Sequence, residues 1–202
     1  MVIPREPFDK LRALSPDLLG GHRRDYTPTP QKVTKAYLLG VLHDSTKRKT
    51  TFRIATKSYR YAVLLRKGIL ILGNQAWIYK EGKFRSVWIV EFSRSLLDKF
   101  MLKTRQDKID YLRGYFDAEG GIPKRNTVRY YLYYAQKDYD DLFEVKQYLE
   151  NLDIECGVMH NPSRQIDANY WRFFIRANSY ERFAQLIGSN HPDKYKFLRM
   201  KR

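Results

Sequence analysis

The stretch Tyr111–Gly121, which reads YLRGYFDAEGG, is the most informative part of this 202-residue chain. Gly114 and Ala118 lie four residues apart, so on a helix they share one face and let a second helix approach closely. Glu119 follows at the end of this helix, and Gly120-Gly121 stop it. The spacing therefore predicts a carboxylate that projects beyond a closely packed helix pair.

A second copy of this plan lies upstream in the chain. Ala36–Thr46 reads AYLLGVLHDST and combines an apolar helix, a glycine (Gly40) and a terminal acid (Asp44). A similar series of predicted elements follows each copy, which is typical of an internal repeat. We therefore expect the chain to supply both helices of the pair.

Leu112–Gly120 matches, almost position for position, the nine-residue motif of the LAGLIDADG homing endonucleases. The chain resembles the members of that family that carry two motifs, over roughly residues 33–198. The resemblance implies a mixed α/β (α+β) fold of two pseudo-symmetric α-β-β-α-β-β-α halves, with the motif helices at their interface and antiparallel DNA-binding sheets that form a saddle. The predicted divisions are an N-terminal arm (1–32), a first half (33–103) and a second half (104–202).

Hydrophobic periodicity predicts the elements of each half. In the first half we expect a strand over 49–57, a helix over 59–72, strands over 76–79 and 87–92, and a closing helix over 93–102. In the second half we expect a strand over 125–137, a helix over 138–152, strands over 154–160 and 169–176, and a helix over 180–187. The tail Asn190–Lys194 resembles a short closing sequence of the family.

Composition favours a polyanionic partner. The chain has 38 Lys and Arg against 22 Asp and Glu, a formal net charge of +16. Its single cysteine, Cys156, excludes an intramolecular disulfide and a multi-cysteine zinc site, and we expect it in the core. No apolar run is long enough to span a membrane and the start lacks a secretory pattern, so we expect an intracellular protein without a membrane partner.

The first strand of each half alternates a basic face with an apolar face, a pattern suited to double-stranded DNA. Side chains at alternate positions of such a strand can reach base edges in the major groove, where arginine pairs with guanine. Solvated faces of half-exposed strands are the alternative interpretation. The candidate DNA contacts are Lys49, Thr51, Arg53, Gln75, Arg85, Arg125, Thr127, Arg129, Tyr131, Arg172 and Arg176.

The acids of the two motifs are the candidate metal ligands. The resemblance places Glu119 at the family's metal-binding acid. Counted from the glycine, the equivalent position of the first copy is Ser45, and Asp44 falls one residue earlier, a rotation of about 100° on a helix. Either the helix end is rewound so that Asp44 reaches the metal, which we favour, or this half lacks a proper ligand. We expect Mg²⁺, with Mn²⁺ or Ca²⁺ able to replace it in binding.

Other polar residues join the two acids as candidates. Thr56-Lys57 and Gln136-Lys137 end the first strand of each half, and in the family such residues surround the metal and the scissile phosphate. Lys57, Gln136 and Lys137 are therefore candidate catalytic residues, and Lys124 is a weaker one. We interpret His43 as a structural contact and Ser45 as a possible water-mediated ligand.

The resemblance implies a site-specific double-stranded DNA endonuclease. It would act as a monomer on a long asymmetric target and cut both strands across the minor groove by metal-dependent hydrolysis. Two alternatives stay open: a non-cleaving, sequence-specific DNA-binding protein, motivated by the shifted acid Asp44, and an RNA-splicing maturase whose partner is intron RNA.

Overall fold

The computed structural model describes residues 32–82, 85–125 and 127–198. The expected N-terminal arm lies outside the described residues, apart from Lys32. In chain order the elements are α1 (Lys35–Val41), β1 (Ser45–Lys47), β2 (Thr51–Thr56), α2 (Tyr59–Ile71), β3 (Ala76–Lys80), β4 (Trp88–Ser93), α3 (Arg105–Glu119), β5 (Gly120–Gly121), β6 (Tyr133–Gln136), α4 (Tyr139–Glu150), β7 (Trp171–Phe174), α5 (Tyr180–Leu186) and α6 (Pro192–Leu198).

The two motif helices, α1 and α3, pack against each other through their glycines. A Cβ atom on Gly40 would lie 2.1 Å from the carbonyl oxygen of Tyr111, and one on Gly114 would lie 2.0 Å from the carbonyl oxygen of Tyr37. Both positions are too close for any side chain, so the backbones touch directly. The predicted helix pair is confirmed, and each helix begins at a threonine cap, Thr34 or Thr104.

The first half contains a four-stranded antiparallel sheet in the order β1-β2-β4-β3. Strand β1 was not predicted. It forms because the chain leaves the first motif in an extended conformation and pairs at once with β2, Ser45 opposite Ile54. Helix α2 covers the sheet and contributes Leu65 and Ile69 to a core that includes Phe92 and Val90. This half therefore has its own hydrophobic core.

The second half contains a three-stranded antiparallel sheet in the order β5-β6-β7, with its own core. The prediction of a strand over 125–137 was too long, since only Tyr133–Gln136 is a strand. The neighbouring strands are short, since β5 has two residues and β7 has four. Their pairing with β6 starts at Tyr133, so the segment before Tyr133 has no strand beside it with which to form a ladder.

Two further predictions were wrong in detail. Instead of a closing helix over 93–102, the structure has a 3₁₀ turn, Arg94–Leu97, and Lys99 soon after it adopts a positive φ of 56° that no helix can contain. Over 154–160 only two isolated bridges form, Cys156 to Ile175 and His160 to Arg172. Between these bridges one segment has three residues, 157–159, and the other has two, 173–174. The extra residue forms a β-bulge, which interrupts the ladder.

The fold class is confirmed: a mixed α/β chain with two halves that repeat the same order, joined at the helix pair. In the second half the third strand is reduced to the two bridges. Cys156 lies in the second core as expected, and burial raises the pKa of its thiol to about 12. None of the helices in the described ranges is both long and apolar enough to cross a membrane. The domain boundaries stay a prediction.

Candidate active site

The two acids of the motifs lie at the C-terminal ends of the paired helices. Glu119 is the last residue of α3 and is half-buried. On the other side α1 ends at Val41 and tightens into a 3₁₀ turn, Leu42–Asp44, whose last residue is the exposed Asp44. Because the glycines hold both helices in one place, the two acids are delivered to the same end of the interface.

The 3₁₀ turn accounts for the shifted acid of the first motif. A 3₁₀ helix has three residues per turn, so each residue advances by about 120° and the turn re-aims the residues that follow Val41. Ser45 has left the helix, and its hydroxyl donates to the carbonyl of Leu42 at 2.6 Å. The helix end is therefore rewound, as we favoured from the sequence. The role of Asp44 as a metal ligand stays a prediction.

The two carboxyl groups share an environment that disfavours their charge. Burial raises the pKa of Glu119, and the charge of Asp44 raises it further. Loss of hydration also raises the pKa of Asp44, while the ammonium of Lys194 lowers it. The influence of the Asp44 charge on Glu119 indicates that the acids from the two halves lie near one another.

A cavity of about 230 Å³ opens beside Asp44. Asp44, Thr56, Lys57, Ala118 and Lys194 are among the residues that line it. The structure therefore brings Lys57, which directly follows β2, together with the acid of the first motif.

The corresponding residues of the second half are arranged differently. The side-chain amide of Gln136 donates to Glu119 at 3.2 Å, and its oxygen accepts from the backbone N–H of Lys137. Lys137 is exposed, and its ammonium lies 3.0 Å from the carboxylate of Asp167. Gln136 is thus joined to the acid, whereas Lys137 is paired elsewhere.

Sequence reasoning missed Asp117, which is fully buried two residues before Glu119. Its carboxylate accepts hydrogen bonds from the Tyr37 hydroxyl at 2.6 Å, from the Ser189 hydroxyl, and from the backbone N–H groups of Asn190 and His191 at 2.9 and 3.1 Å. Burial raises the pKa of Asp117, against the lowering influence of Lys194 and of the hydrogen bonds from Ser189, Tyr37 and Asn190. Asp117 therefore ties the first half and the C-terminal tail to the motif helix.

Sequence reasoning also missed Lys194, which lies in the tail that resembled a family closing sequence. Its ammonium donates to three carbonyl oxygens at the end of α3, those of Phe116, Asp117 and Gly120, at 2.6 to 2.8 Å. Burial lowers the pKa of this lysine to about 8, against the opposing influence of the nearby acids. Lys194 is a cationic C-cap placed beside the two candidate ligands.

His43 makes the structural contact expected from the sequence, and it crosses the interface. Its Nε2 lies 2.9 Å from the hydroxyl of Tyr111 on α3, and its Nδ1 lies 3.1 Å from a carboxylate oxygen of Asp141 on α4. The ring also packs on Tyr115 with centroids 4.3 Å apart. The residue next to Asp44 is thus held by the second half.

The DNA candidates of the first half surround an acid. Arg53 is opposite Glu91 in the sheet and also bonds the hydroxyl of Tyr79 at 3.0 Å. Thr51 and Tyr79 both donate to Glu91, which lowers the pKa of that carboxyl. Strand register therefore places an acid of the neighbouring strand among these basic residues, and their role in DNA contact stays a prediction. Lys49, Gln75 and Arg85 are exposed, and Arg85 lies 3.6 Å from Glu81.

The DNA candidates of the second half are split between a loop and an aromatic surface. The exposed residues Arg125, Thr127 and Arg129 precede β6 and are not on the strand expected for them. Tyr131 packs against Tyr133 and Phe174. The guanidinium of Arg172 lies over the ring of Tyr133 at 4.4 Å, and Arg176 is exposed.

The donor set fits a hard divalent cation. In the part of the chain that the structure describes, no group of three or more His, Cys, Asp or Glu side chains could hold a metal ion. Asp44 and Glu119 form a pair, and Mg²⁺ commonly takes one or two carboxylates and completes its shell with water and substrate phosphates. A cation between them would also offset the repulsion that raises the pKa of Glu119.

Comparison with known proteins agrees with this geometry. A family model described as a LAGLIDADG-like domain matches residues 107–188. The match covers less than half of the chain. The match begins inside α3 and ends after α5, so it includes the second motif and Glu119. The LAGLIDADG resemblance read from the sequence is confirmed. No curated protein matches the chain significantly.

Solved structures with the LAGLIDADG fold superpose on both halves. The homing endonuclease I-DmoI in complex with DNA and Ca is similar over 83% of this chain and 97% of its own, with a TM-score of 0.59 and 19% identity. I-DmoI with DNA and Mn is similar over 76% and 95%, with a TM-score of 0.56 and 21% identity. The N-terminal LAGLIDADG domain of DUF199/WhiA is similar over 82% and 85%, with a TM-score of 0.60 and 15% identity. These identities establish a shared fold.

Proposed function

We propose that the chain is a single-chain, site-specific endonuclease that hydrolyses both strands of a long, asymmetric double-stranded DNA target. The observation that carries the proposal is the placement of Asp44 and Glu119, one acid from each half, at the same end of the glycine-packed helix pair, where the charge of Asp44 raises the pKa of Glu119. Because one chain supplies both acids, a monomer is sufficient, and the two different halves suit a target without palindromic symmetry. We place its action inside the cell.

Charge supports DNA as the substrate. The chain carries a formal net charge of +16, which favours binding to a phosphate backbone. Exposed basic residues occur in both halves, among them Lys49, Arg125 and Arg129. I-DmoI, whose fold this chain shares, is described in complex with DNA. As in the family that the sequence resembles, cutting is proposed across the minor groove.

The acids would hold a divalent cation, for which we propose Mg²⁺, with Mn²⁺ or Ca²⁺ able to take its place in binding. When bound, such an ion supplies Lewis-acid stabilisation of the phosphate charge and activation of water. I-DmoI is described with Mn and with Ca. The contribution of the protein is to hold two oxygen ligands, Asp44 and Glu119, at a fixed place between the halves.

Three further side chains have distinct roles in this proposal. The ammonium of Lys57, on the cavity wall near Asp44, stabilises the negative charge that develops on the scissile phosphate. Gln136 orients Glu119 through its hydrogen bond at 3.2 Å. Lys194 cannot donate to a phosphate while its three hydrogen bonds to α3 carbonyls are intact, so it acts as a fixed charge that lessens the repulsion between the acids.

A non-cleaving DNA-binding protein is the second candidate. It is favoured by one observation: the residue of the first motif that aligns with Glu119 is Ser45, which has left the helix and bonds the carbonyl of Leu42. If Asp44 does not replace the missing acid, the site has one carboxylate and the DNA surface alone remains functional.

Metal-dependent cleavage separates the two candidates. The substrate is the DNA on the two sides of the protein's own reading frame, joined into one duplex. The purified protein is incubated with this duplex in Mg²⁺ or in EDTA, and the ends of the products are sequenced. We expect double-strand cuts at one position that require Mg²⁺, and Glu119→Gln should bind this DNA in Ca²⁺ without cutting it. Tight binding without cutting by the unsubstituted protein would support the second candidate, and undiminished cutting by Glu119→Gln would place the chemistry elsewhere.

A further inference from the structure

The helix pair is cross-linked by a reciprocal pair of hydrogen bonds that follows the repeat. Tyr37 and Tyr111 each lie three residues before a motif glycine, and His43 and Asp117 each lie three residues after one. The Tyr37 hydroxyl donates to Asp117 at 2.6 Å, and the Tyr111 hydroxyl lies 2.9 Å from Nε2 of His43. Tyr37 of α1 therefore holds Asp117, which lies two residues before Glu119. Tyr111 of α3 holds His43, which lies directly before Asp44.

The second partner of each bond differs between the halves. On the Glu119 side, Asp117 is completed by the C-terminal tail through Ser189, Asn190 and His191. On the Asp44 side, His43 is completed by Asp141, whose carboxylate also accepts from the Tyr115 hydroxyl at 2.8 Å. The shifted acid of the first motif thus has an anchor of its own, built entirely from residues of the second half.

A single neutral tautomer of His43 satisfies all of these contacts. With its proton on Nδ1, the ring donates to Asp141 and accepts from the Tyr111 hydroxyl at Nε2. Packing on Tyr115, with ring centroids 4.3 Å apart, fixes the ring plane. His43 lies inside the 3₁₀ turn and directly precedes Asp44 in the chain. A fixed His43 ring therefore restricts the backbone of the turn that orients the Asp44 carboxylate.

We propose that His43 and Asp141 are positioning residues that hold the 3₁₀ turn from the second half and thereby set the Asp44 carboxylate for cleavage of one DNA strand. The inference rests on the proposed endonuclease function. The strand selectivity would follow from symmetry. The two halves repeat the same order of elements, so in the proposed complex each acid would face the scissile phosphate of a different strand. Disturbing one anchor should therefore slow one cut more than the other.

Tyr111→Phe and Tyr37→Phe form a matched pair for the test, since each removes one hydroxyl from one of the two reciprocal bonds. Single-turnover cleavage is measured at saturating DNA with each strand labelled separately, and affinity is measured in Ca²⁺. Tyr111→Phe, His43→Ala and Asp141→Asn should slow the same strand by about 10- to 100-fold, as loss of a residue that orients a metal ligand does. Tyr37→Phe should slow the opposite strand, and DNA affinity should change little in all four.

A second readout does not depend on cleavage. The affinity of the free protein for Mn²⁺, measured by electron paramagnetic resonance, should fall at least severalfold in His43→Ala. Lys146→Ala is the control, since Lys146 lies on the same helix as Asp141 but pairs with Glu150. If the unsubstituted protein cuts no DNA, the proposed function fails and the Mn²⁺ affinity decides the inference. Equal slowing of both strands in proportion to lost thermal stability, or unchanged Mn²⁺ affinity in His43→Ala, would overturn it.

Discussion

Replacement of Gly114 by alanine tests the packing on which the site depends. The added Cβ would lie 2.0 Å from the carbonyl oxygen of Tyr37, 2.9 Å from its carbonyl carbon and 3.1 Å from the backbone nitrogen of Val41. Contacts under 3.0 Å essentially do not occur for Cβ atoms, so α1 and α3 must separate by about 1 Å. All three atoms belong to the backbone, which no side-chain rotation can relieve.

The expected cost is about 1–3 kcal/mol from overpacking, already reduced by the roughly 0.5–1 kcal/mol that alanine gains over glycine in a helix. For a chain of this size such a loss lowers the melting temperature by about 2–12 °C. Cleavage measured well below that temperature should fall more than stability does, because separation of the helices also moves Asp44 away from Glu119.

Gly157→Ala is the matched control. Its Cβ would meet only ordinary contacts, the nearest being the carbonyl oxygen of Phe174 at 3.4 Å, and its φ is not in the left-handed region. Melting curves and cleavage rates of both variants are compared with those of the parent. A Gly114→Ala protein as stable and as active as Gly157→Ala would refute the claim that direct backbone contact between the helices builds the site.

Three further outcomes are expected. Lys194→Met should lose about 1–3 kcal/mol of stability, measured by denaturant unfolding, because three carbonyls lose their cap; unchanged stability would contradict the cap. Burial lowers the pKa of His191 to about 4, so the unfolded state binds its proton first and stability falls by up to about 3 kcal/mol as pH drops from 6.5 to 4. His191→Gln should remove this loss of stability between pH 6.5 and 4. The buried acids, whose pKa values are raised, act in the opposite direction in both proteins. The same dependence of stability on pH in His191→Gln and the parent would refute the role given to His191. Arg129→Ala should weaken binding by about 1–3 kcal/mol at one target position if this exposed residue reads a base, and an unchanged specificity profile would exclude that role.

The helix pair could be predicted from the sequence because its signals are local. Gly40 and Gly114 each sit in a short motif, and repetition of the motif indicates that the two helices meet. The same local pattern shows that the first acid is displaced by one residue. The 3₁₀ turn that compensates for the displacement follows from the need of the chain to enter β1 at Ser45, and it could be expected from the polar residues after Asp44.

The supports of the site could not be predicted because they join residues far apart in the chain. Asp117 reads as an ordinary helix residue until the tail brings Ser189 and His191 to it, and Lys194 reads as a surface lysine. The position of Glu91 among the basic residues of the first sheet could not be predicted for the same reason, since Glu91 and Arg53 are far apart in the chain. Alternation assigns Arg53 to a face, but only strand register shows that an acid lies opposite.

The most direct test of the account is strand-resolved cleavage by Asp44→Asn compared with Ser45→Ala. Both variants keep the size of the side chain nearly unchanged, and Ser45 is the residue that alignment with Glu119 would select. The account predicts that Asp44→Asn fails to cut at least one strand while it still binds the target in Ca²⁺, and that Ser45→Ala cuts both. Cutting of both strands at the parental rate by Asp44→Asn would contradict the claim that the two motif acids form the metal site.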